Sequence, residues 1–264
     1  MKNALIGFSG FVGSTLLKQA PFDALYRSTN IHEIAQQTFD IVVCAGAPAQ
    51  KWLANRAPEE DRQKIDDLIG HLKTIQCNMF ILISTVDVFK DAVGVDEATP
   101  VEEAGLHAYG RHRLILERFV QDRFPNHLVV RLPGLIGPGL RKNVIFDFLN
   151  DNNLHAIDDR GFFQFYPMVN LWYDIQIALQ AGLRLIHLTV EPMSVADVSR
   201  HGFGKPFEQN LDGTPARYDM RSRYASVFGV DGPYQYSARE AIQAIRAYAQ
   251  SEPVTQKSAQ GAAS

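Results

Sequence analysis

Cysteine is scarce in this chain: Cys44 and Cys77 are the only two among 264 residues, and no metal-site or disulfide spacing joins them. Both fall in apolar, strand-like contexts and read as small buried hydrophobes. Basic blocks are missing and the formal net charge is -3, which excludes a surface built for nucleic acid. No apolar run reaches the length needed to cross a bilayer, and the first strand-like run starts at Asn3, so neither a membrane helix nor a secretory signal is expected. A cytoplasmic protein is the expectation. Internal repeats are also absent. What is present is 46% hydrophobic residues, enough to bury the core of one large α/β domain or of a domain with a small appendage.

The most informative segment is Gly7-Phe8-Ser9-Gly10-Phe11-Val12-Gly13, between the apolar run Ala4-Leu5-Ile6 and the helix-like Ser14-Thr15-Leu16-Leu17-Lys18. A glycine-rich turn from a buried strand into a helix is where a dinucleotide pyrophosphate sits. Gly7 permits the tight turn, Gly10 lets backbone N–H groups approach the phosphates, and Gly13 lets the helix pack closely on the strand. The spacing, G-x-x-G-x-x-G, is a variant of the usual fingerprint, and a plain strand-turn-helix is the competing reading.

Apolar runs alternate with amphipathic segments along the chain, the pattern of parallel βαβ construction. Strands are expected at 3–6, 24–27, 41–45, 79–84, 127–131 and 185–189. Helices are expected at 14–19, 31–37, 60–75, 109–123, 143–150, 171–181 and 238–250. This predicts an α/β fold, a Rossmann-like doubly wound parallel sheet forming one NAD(P)-binding domain over 1–250. About forty residues separate the first strand from the third, so one crossover unit is shortened. Stretches at about 135–165 and 191–236 carry fewer periodic runs and more Gly, Pro and Asn, and are assigned to a small substrate-covering subdomain. Residues 251–264, rich in Ala, Ser and Gln, are expected to form a disordered tail.

A second constellation lies where the fourth strand ends, Ser84-Thr85-Val86-Asp87-Val88, and in Tyr109-Gly110-Arg111-His112-Arg113. A hydroxyl leaving a strand end, followed by a tyrosine and a cation one helical turn apart, suits proton transfer to a carbonyl. His107 and His112 have no carboxylate cluster beside them and read as solvated surface residues, so no metal is expected.

With both constellations in place, residues 3–181 resemble the extended branch of the short-chain dehydrogenase/reductase superfamily, the sugar-nucleotide epimerases, dehydratases and reductases. The resemblance implies that Thr85 hydrogen-bonds the substrate oxygen with Ser84 beside it, and that Tyr109 is the general acid or base. It puts a lysine four residues after that tyrosine, where this chain has Arg113. Arginine supplies charge and hydrogen bonds for a nicotinamide ribose, but its planar guanidinium does not reproduce a compact ammonium. Asp87 matches the acid of the dehydratase branch, which pairs two acids there; the next residue here is Val88. The resemblance also implies that Ala45-Gly46-Ala47 lines the adenine and ribose, that Pro133 lies beside the carboxamide, and that Asn143 contacts nucleotide-sugar phosphates. Asn143 could equally cap a helix. Arg221, with Arg217 and Arg223, could clamp a diphosphate or belong to a solvated charged face.

Arg27 and Ser28 end the second strand and point to NADP; Asp23 would favour NAD if the strand were shifted back. The resemblance implies reduction of a keto group on a nucleotide-linked sugar. A sugar-nucleotide epimerase that retains its cofactor is the nearest alternative, and Arg113 leaves open a cofactor-binding regulatory protein without turnover. Apolar stripes on 60–75 (Ile65, Leu68, Ile69, Leu72, Ile75) and 109–123 (Leu114, Ile115, Phe119, Val120) could serve a homodimer or face only their own sheet.

Overall fold

A computed structural model describes residues 2–254. Six parallel strands form the central sheet: β1 (Asn3–Ile6), β2 (Ala24–Tyr26), β3 (Thr38–Cys44), β4 (Gln76–Thr85), β6 (His127–Leu132) and β10 (Leu185–His187), in the order β10-β6-β4-β3-β1-β2. Three two-stranded ladders lie outside it: β5 (Val93–Val95) with β12 (Asp219–Met220), β7 (Gly134–Ile136) with β9 (Phe165–Pro167), and β8 (Phe162–Phe163) with β11 (Met193–Ser194). The helices are α1 (Phe11–Gln19), α2 (Lys51–Arg56), α3 (Pro58–Leu72), α4 (Ala108–Arg123), α5 (Val144–Asn150), α6 (Leu171–Gln180), the single turn α7 (Val195–Asp197) and α8 (Ala238–Ser251).

Strands buried on both faces read as continuous apolar runs, and the period of two distributes them between two cores. Leu5, Val43, Ile81 and Val130 face one core with Leu16 of α1, Ile175 of α6 and Ile245 of α8. Ala4, Ile6, Val42, Cys44 and Leu82 face the other, with Ile65 and Leu72 of α3 and Leu116 and Val120 of α4. The α3 stripe, with Ile75, is therefore spent on this molecule's own sheet. Helix α8 starts at a capping box: Ser237 Oγ accepts from the Glu240 N–H, and Glu240 accepts from the Ser237 N–H at 2.7 Å. The tail expected at 251–264 begins inside α8 at Ser251, and its residues 255–264 lie outside the described residues.

The helix expected at 31–37 is instead one 3-10 turn, Ile31–Ile34, in which only Ile34 is buried; Gln36 then adopts φ 59° and turns the chain toward β3. This is the shortened crossover. The chain passes from β2 over β1 and inserts β3 on its other side, so strand order reverses between β1 and β3. In an open α/β sheet the crevice at the carboxyl ends of two such strands is where ligands bind. No helix among the described residues is long and apolar enough to cross a membrane.

Candidate cofactor and proton-transfer site

The glycine turn occupies that crevice. Gly7 has φ 84°, and a Cβ there would run into the carbonyl of Ala45, while one on Gly13 would run into the carbonyl of Gly7. The turn is therefore closed against both β3 and its own helix only because side chains are missing. Gly7 N–H donates to Tyr26 O at 2.7 Å, Gly10 caps α1 with extended backbone, and Ser9 and Gly10 are exposed at the helix N-terminus. Phe11 and Val12 are half-buried behind them, and Ala45, Gly46 and Ala47 form the facing lip. A Cβ on Gly46 would reach the Ile6 side chain at 2.9 Å, so this lip too is cut back to backbone. The cradle fits a pyrophosphate approached by main-chain amides.

Arg27 and Ser28 are exposed just past β2 on the same edge. The Arg27 guanidinium lies 5.8 Å from the Phe8 ring centre and donates from Nε to Thr29 Oγ1 at 3.0 Å. Asp23, by contrast, precedes β2 and accepts the Asn3 N–H at 2.7 Å at the opposite end of the sheet. It cannot meet a ribose in the crevice.

Tyr109 is the second residue of α4, and its N–H donates to Asn55 Oδ1 of α2 at 3.0 Å. Gly110 next to it meets the Asp87 backbone so closely that no Cβ fits, which brings the start of α4 against the turn that follows β4. Thr85, the last residue of β4, accepts the Asp87 N–H at 3.1 Å. Burial pushes the Tyr109 phenol above its ordinary value; the Arg113 charge pulls it down, Asp87 pushes it up, and hydrogen bonding to Arg113 and Thr85 pulls it down.

Arg113 is buried at 3% exposure. Its Nη1 donates to Asp61 Oδ2 at 2.9 Å and its Nη2 to Asp61 Oδ1 at 3.2 Å, and Nη2 also donates to Pro48 O. The guanidinium carbon stands 4.3 Å from the centre of the Tyr109 ring. The arginine therefore keeps its charge beside the phenol while its fork is engaged by a carboxylate from α3. His112 shares that carboxylate at 2.7 Å and is buried, which corrects its reading as a solvated histidine. His107 is half-buried, and its Nδ1 accepts the Gly110 N–H at 3.0 Å as the cap of α4.

Several expected site residues go elsewhere. Ser84 cannot share Thr85's face, because adjacent strand residues point to opposite sides. Its hydroxyl donates to Glu117, which is paired with Arg131 at 2.7 Å, and Arg131 in turn reaches His187 at 3.3 Å; all three are buried. Burial, aided by Arg131, lowers the His187 pKa to about 3. Asn143 is the cap of α5: its Oδ1 accepts from Ile145 and Phe146, and its Nδ2 donates to Leu135 O at 2.9 Å. That amide is consumed by backbone. Arg221 is paired with Asp219 at 2.6 Å, and Asp219 also accepts from Tyr234 at 2.6 Å. Pro133 is buried directly after β6 at the carboxyl edge.

Asp87 is the substrate candidate that the structure sets in a cluster. Lys51 Nζ donates to its Oδ1 at 2.7 Å, and the Tyr218 hydroxyl donates to the same oxygen at 3.2 Å. Lys142, whose ammonium donates to Ala49 O, stands close enough that both Asp87 and Arg113 act on it. Burial of that ammonium lowers its pKa. Lys51, Asn55, Asp61, Lys142 and Tyr218 escaped the sequence reading. Helix α2 has six residues, too few to display a period, and nothing in spacing ties residue 51 to 87 or 61 to 113.

No protein-family model matches the chain, and no curated protein matches it by sequence. Solved structures do. A dTDP-4-dehydrorhamnose reductase from Yersinia enterocolitica is similar at TM-score 0.71 and 17% identity, over 95% of this chain and 99% of that one. RMD from Pseudomonas aeruginosa, solved with NADPH, is similar at 0.69 and 17%, over 95% and 99%. UDP-glucose 4-epimerase from Thermotoga maritima, solved with UDP-glucose, is similar at 0.69 and 13%, again over 95% and 99%. At these identities the likeness is one of fold: the chain is built, nearly end to end, on the Rossmann-like plan that sugar-nucleotide reductases and epimerases share.

Proposed function

We propose that the protein is an NADP-dependent reductase of a keto group on a nucleotide-linked sugar. The observation that carries this reading is Tyr109 set between Thr85 and the Arg113 charge, at the carboxyl edge of the sheet whose switch point holds the glycine cradle. Two fold neighbours support the ligand classes: one was solved with NADPH and another with UDP-glucose.

Residues 7–13 and the lip at 45–47 hold the pyrophosphate and adenosine side, and Arg27 with Ser28 receives the 2′-phosphate. When bound, NADPH supplies the hydride. Everything else falls to side chains of this chain. The Thr85 hydroxyl donates a hydrogen bond to the keto oxygen and fixes its position. The Tyr109 hydroxyl then gives its proton to that oxygen as the carbonyl carbon becomes a carbinol carbon, leaving a phenolate. Arg113, against the ring and hydrogen-bonding the phenol, stabilises that phenolate while Asp61 and Pro48 hold its fork in place. The regions at 135–165 and 191–236 cover the sugar, and Tyr218 brings the second of them onto Asp87.

The tie of Arg113 to Asp61 and Pro48 favours one second reading, a protein that binds NADP without turnover. Titration with NADPH and NADH, followed by nicotinamide fluorescence in the wild type and in Arg27→Ala, tests the cofactor site. NADPH binding weakened roughly tenfold in the variant, with NADH binding unchanged, is expected for loss of a charge-assisted contact. Binding of neither nucleotide would overturn both readings.

A further inference from the structure

Three distant segments converge at the Asp87 carboxylate. Lys51 comes from α2, Asp87 from the turn after β4, and Tyr218 from the strand-like approach to β12. Lys51 Nζ is 2.7 Å from Asp87 Oδ1 and 3.2 Å from the Tyr218 hydroxyl, and that hydroxyl is 3.2 Å from the same carboxylate oxygen. The three groups thus close a triangle. Tyr218 is itself held by stacking on Phe163 of β8, with ring centres 5.6 Å apart. The Asp87 side chain is 17% exposed, so its charge is screened less than that of a fully solvated carboxylate.

We propose that Lys51 is a positioning residue for proton transfer at Tyr109: it clamps Asp87 against Tyr218 and cancels the one negative charge that faces the phenol. This inference rests on the oxidoreductase reading above. Asp87 and Tyr109 are brought together by Gly110, whose missing Cβ lets α4 close on the Asp87 backbone. Asp87 pushes the phenol upward, against Arg113. When Tyr109 has given up its proton, phenolate and carboxylate face each other, and like charges so placed oppose the transfer. The Lys51 ammonium offsets this. Burial works against its charge, but Asp87 and Tyr218 outweigh that effect and hold its pKa above the ordinary value, so the ammonium stays charged through the neutral range. The groups facing the phenol are Arg113 and His107 on α4 and Asp87 after β4. Behind Asp87 stand Lys51 on α2, Lys142 before α5, and Tyr218 before β12. Only Lys51 bonds the carboxylate with a full positive charge among the described residues.

Lys51→Met, Asp87→Asn and the double variant test this, each beside a version also carrying Tyr109→Phe. The difference in phenolate absorbance then reports Tyr109 alone and needs no turnover. Lys51→Met should move the Tyr109 titration to higher pH, Asp87→Asn should move it to lower pH, and the double variant should follow Asp87→Asn. The alkaline limb of kcat in the reductive direction should shift in the same order, since the phenol must be protonated to act. A purely structural role for Lys51 moves neither. Asp87→Asn keeps an acceptor for Lys51, so it reports even where Lys51→Met folds poorly. Titrations that coincide in the wild type and Lys51→Met, or Asp87→Asn failing to move downward, would overturn the inference. If the titrations move as stated but no keto sugar nucleotide is reduced, the role of Lys51 stands and the oxidoreductase reading falls.

Discussion

Two carboxylates serve the Tyr109 site, Asp61 through Arg113 and Asp87 directly, and the chain handles them in opposite ways. Asp61 is 5% exposed and gripped from one side by the buried Arg113 and His112, whereas Asp87 meets a lysine whose side chain is 38% exposed and Tyr218 at the approach to β12. The first cluster is closed and the second is open to the crevice. The contrast explains the arginine. A guanidinium fork matches Asp61 with two parallel bonds, which an ammonium cannot do, so position 113 serves as a strut between α4 and α3 as well as a charge under the tyrosine ring. The neighbouring positive charge and the structural tie are one residue.

The closed cluster is disrupted most by removing its carboxylate. Asp61→Ala leaves a buried guanidinium without its carboxylate and should cost about 3–5 kcal/mol in urea unfolding. A loss below about 1 kcal/mol would show the closed cluster to be no strut.

Acid titration sharpens the contrast between a buried acid held by cations and one held by phenols. The hydrogen bonds of Arg113 and His112 outweigh burial and lower the Asp61 pKa. Its contribution is therefore present above the unfolded carboxylate value, about 4, and is lost as pH falls through the lower folded value. Asp174 is 1% exposed and accepts from Tyr236 at 2.9 and 2.8 Å and from Tyr166. Burial raises its pKa to about 6 against the hydrogen bonds of those two phenols. The folded chain binds this proton more tightly than the unfolded one, so its effect has the opposite sign: stability falls as pH rises from about 4 to about 6, by about 3 kcal/mol. Unfolding midpoints against pH should lose this slope in Asp174→Asn and keep it in Asp61→Asn.

Arg113→Lys keeps the charge but loses one arm of the fork, and should cost about 1–2 kcal/mol, between the extremes. Lys51→Met should cost under about 1 kcal/mol in stability, because its pair is partly solvated, even while it shifts the titration of Tyr109.

Much of the sheet could be read from the chain because buried parallel strands are written as unbroken apolar runs. Ala4-Leu5-Ile6, Val42-Val43 and Leu128-Val129-Val130 are each buried whole. The glycine turn was legible for a related reason: Gly7 and Gly13 need backbone that no side chain obstructs. The segment at 31–37 misled because Ile31 and Ile34 have helical spacing, yet the step over a single strand leaves room for only one turn. Ser84 was recoverable, since strand alternation denies it the face of Thr85. The partners of Arg113 and Asp87 were not. Asp61 precedes Arg113 by 52 positions and Tyr218 follows Asp87 by 131, and no local pattern encodes contacts between elements so far apart. His112 reads as a surface residue for the same reason, its carboxylate being that of Asp61.

Protonation of a keto oxygen by Tyr109 in this crevice is checked by following NADPH oxidation with a 4-keto-6-deoxy nucleotide sugar in the wild type and Tyr109→Phe. Steady turnover by the wild type and a loss of about 10²–10⁴-fold in the variant, with NADPH affinity unchanged, are expected. Equal rates in the two proteins, or none in either, would contradict it.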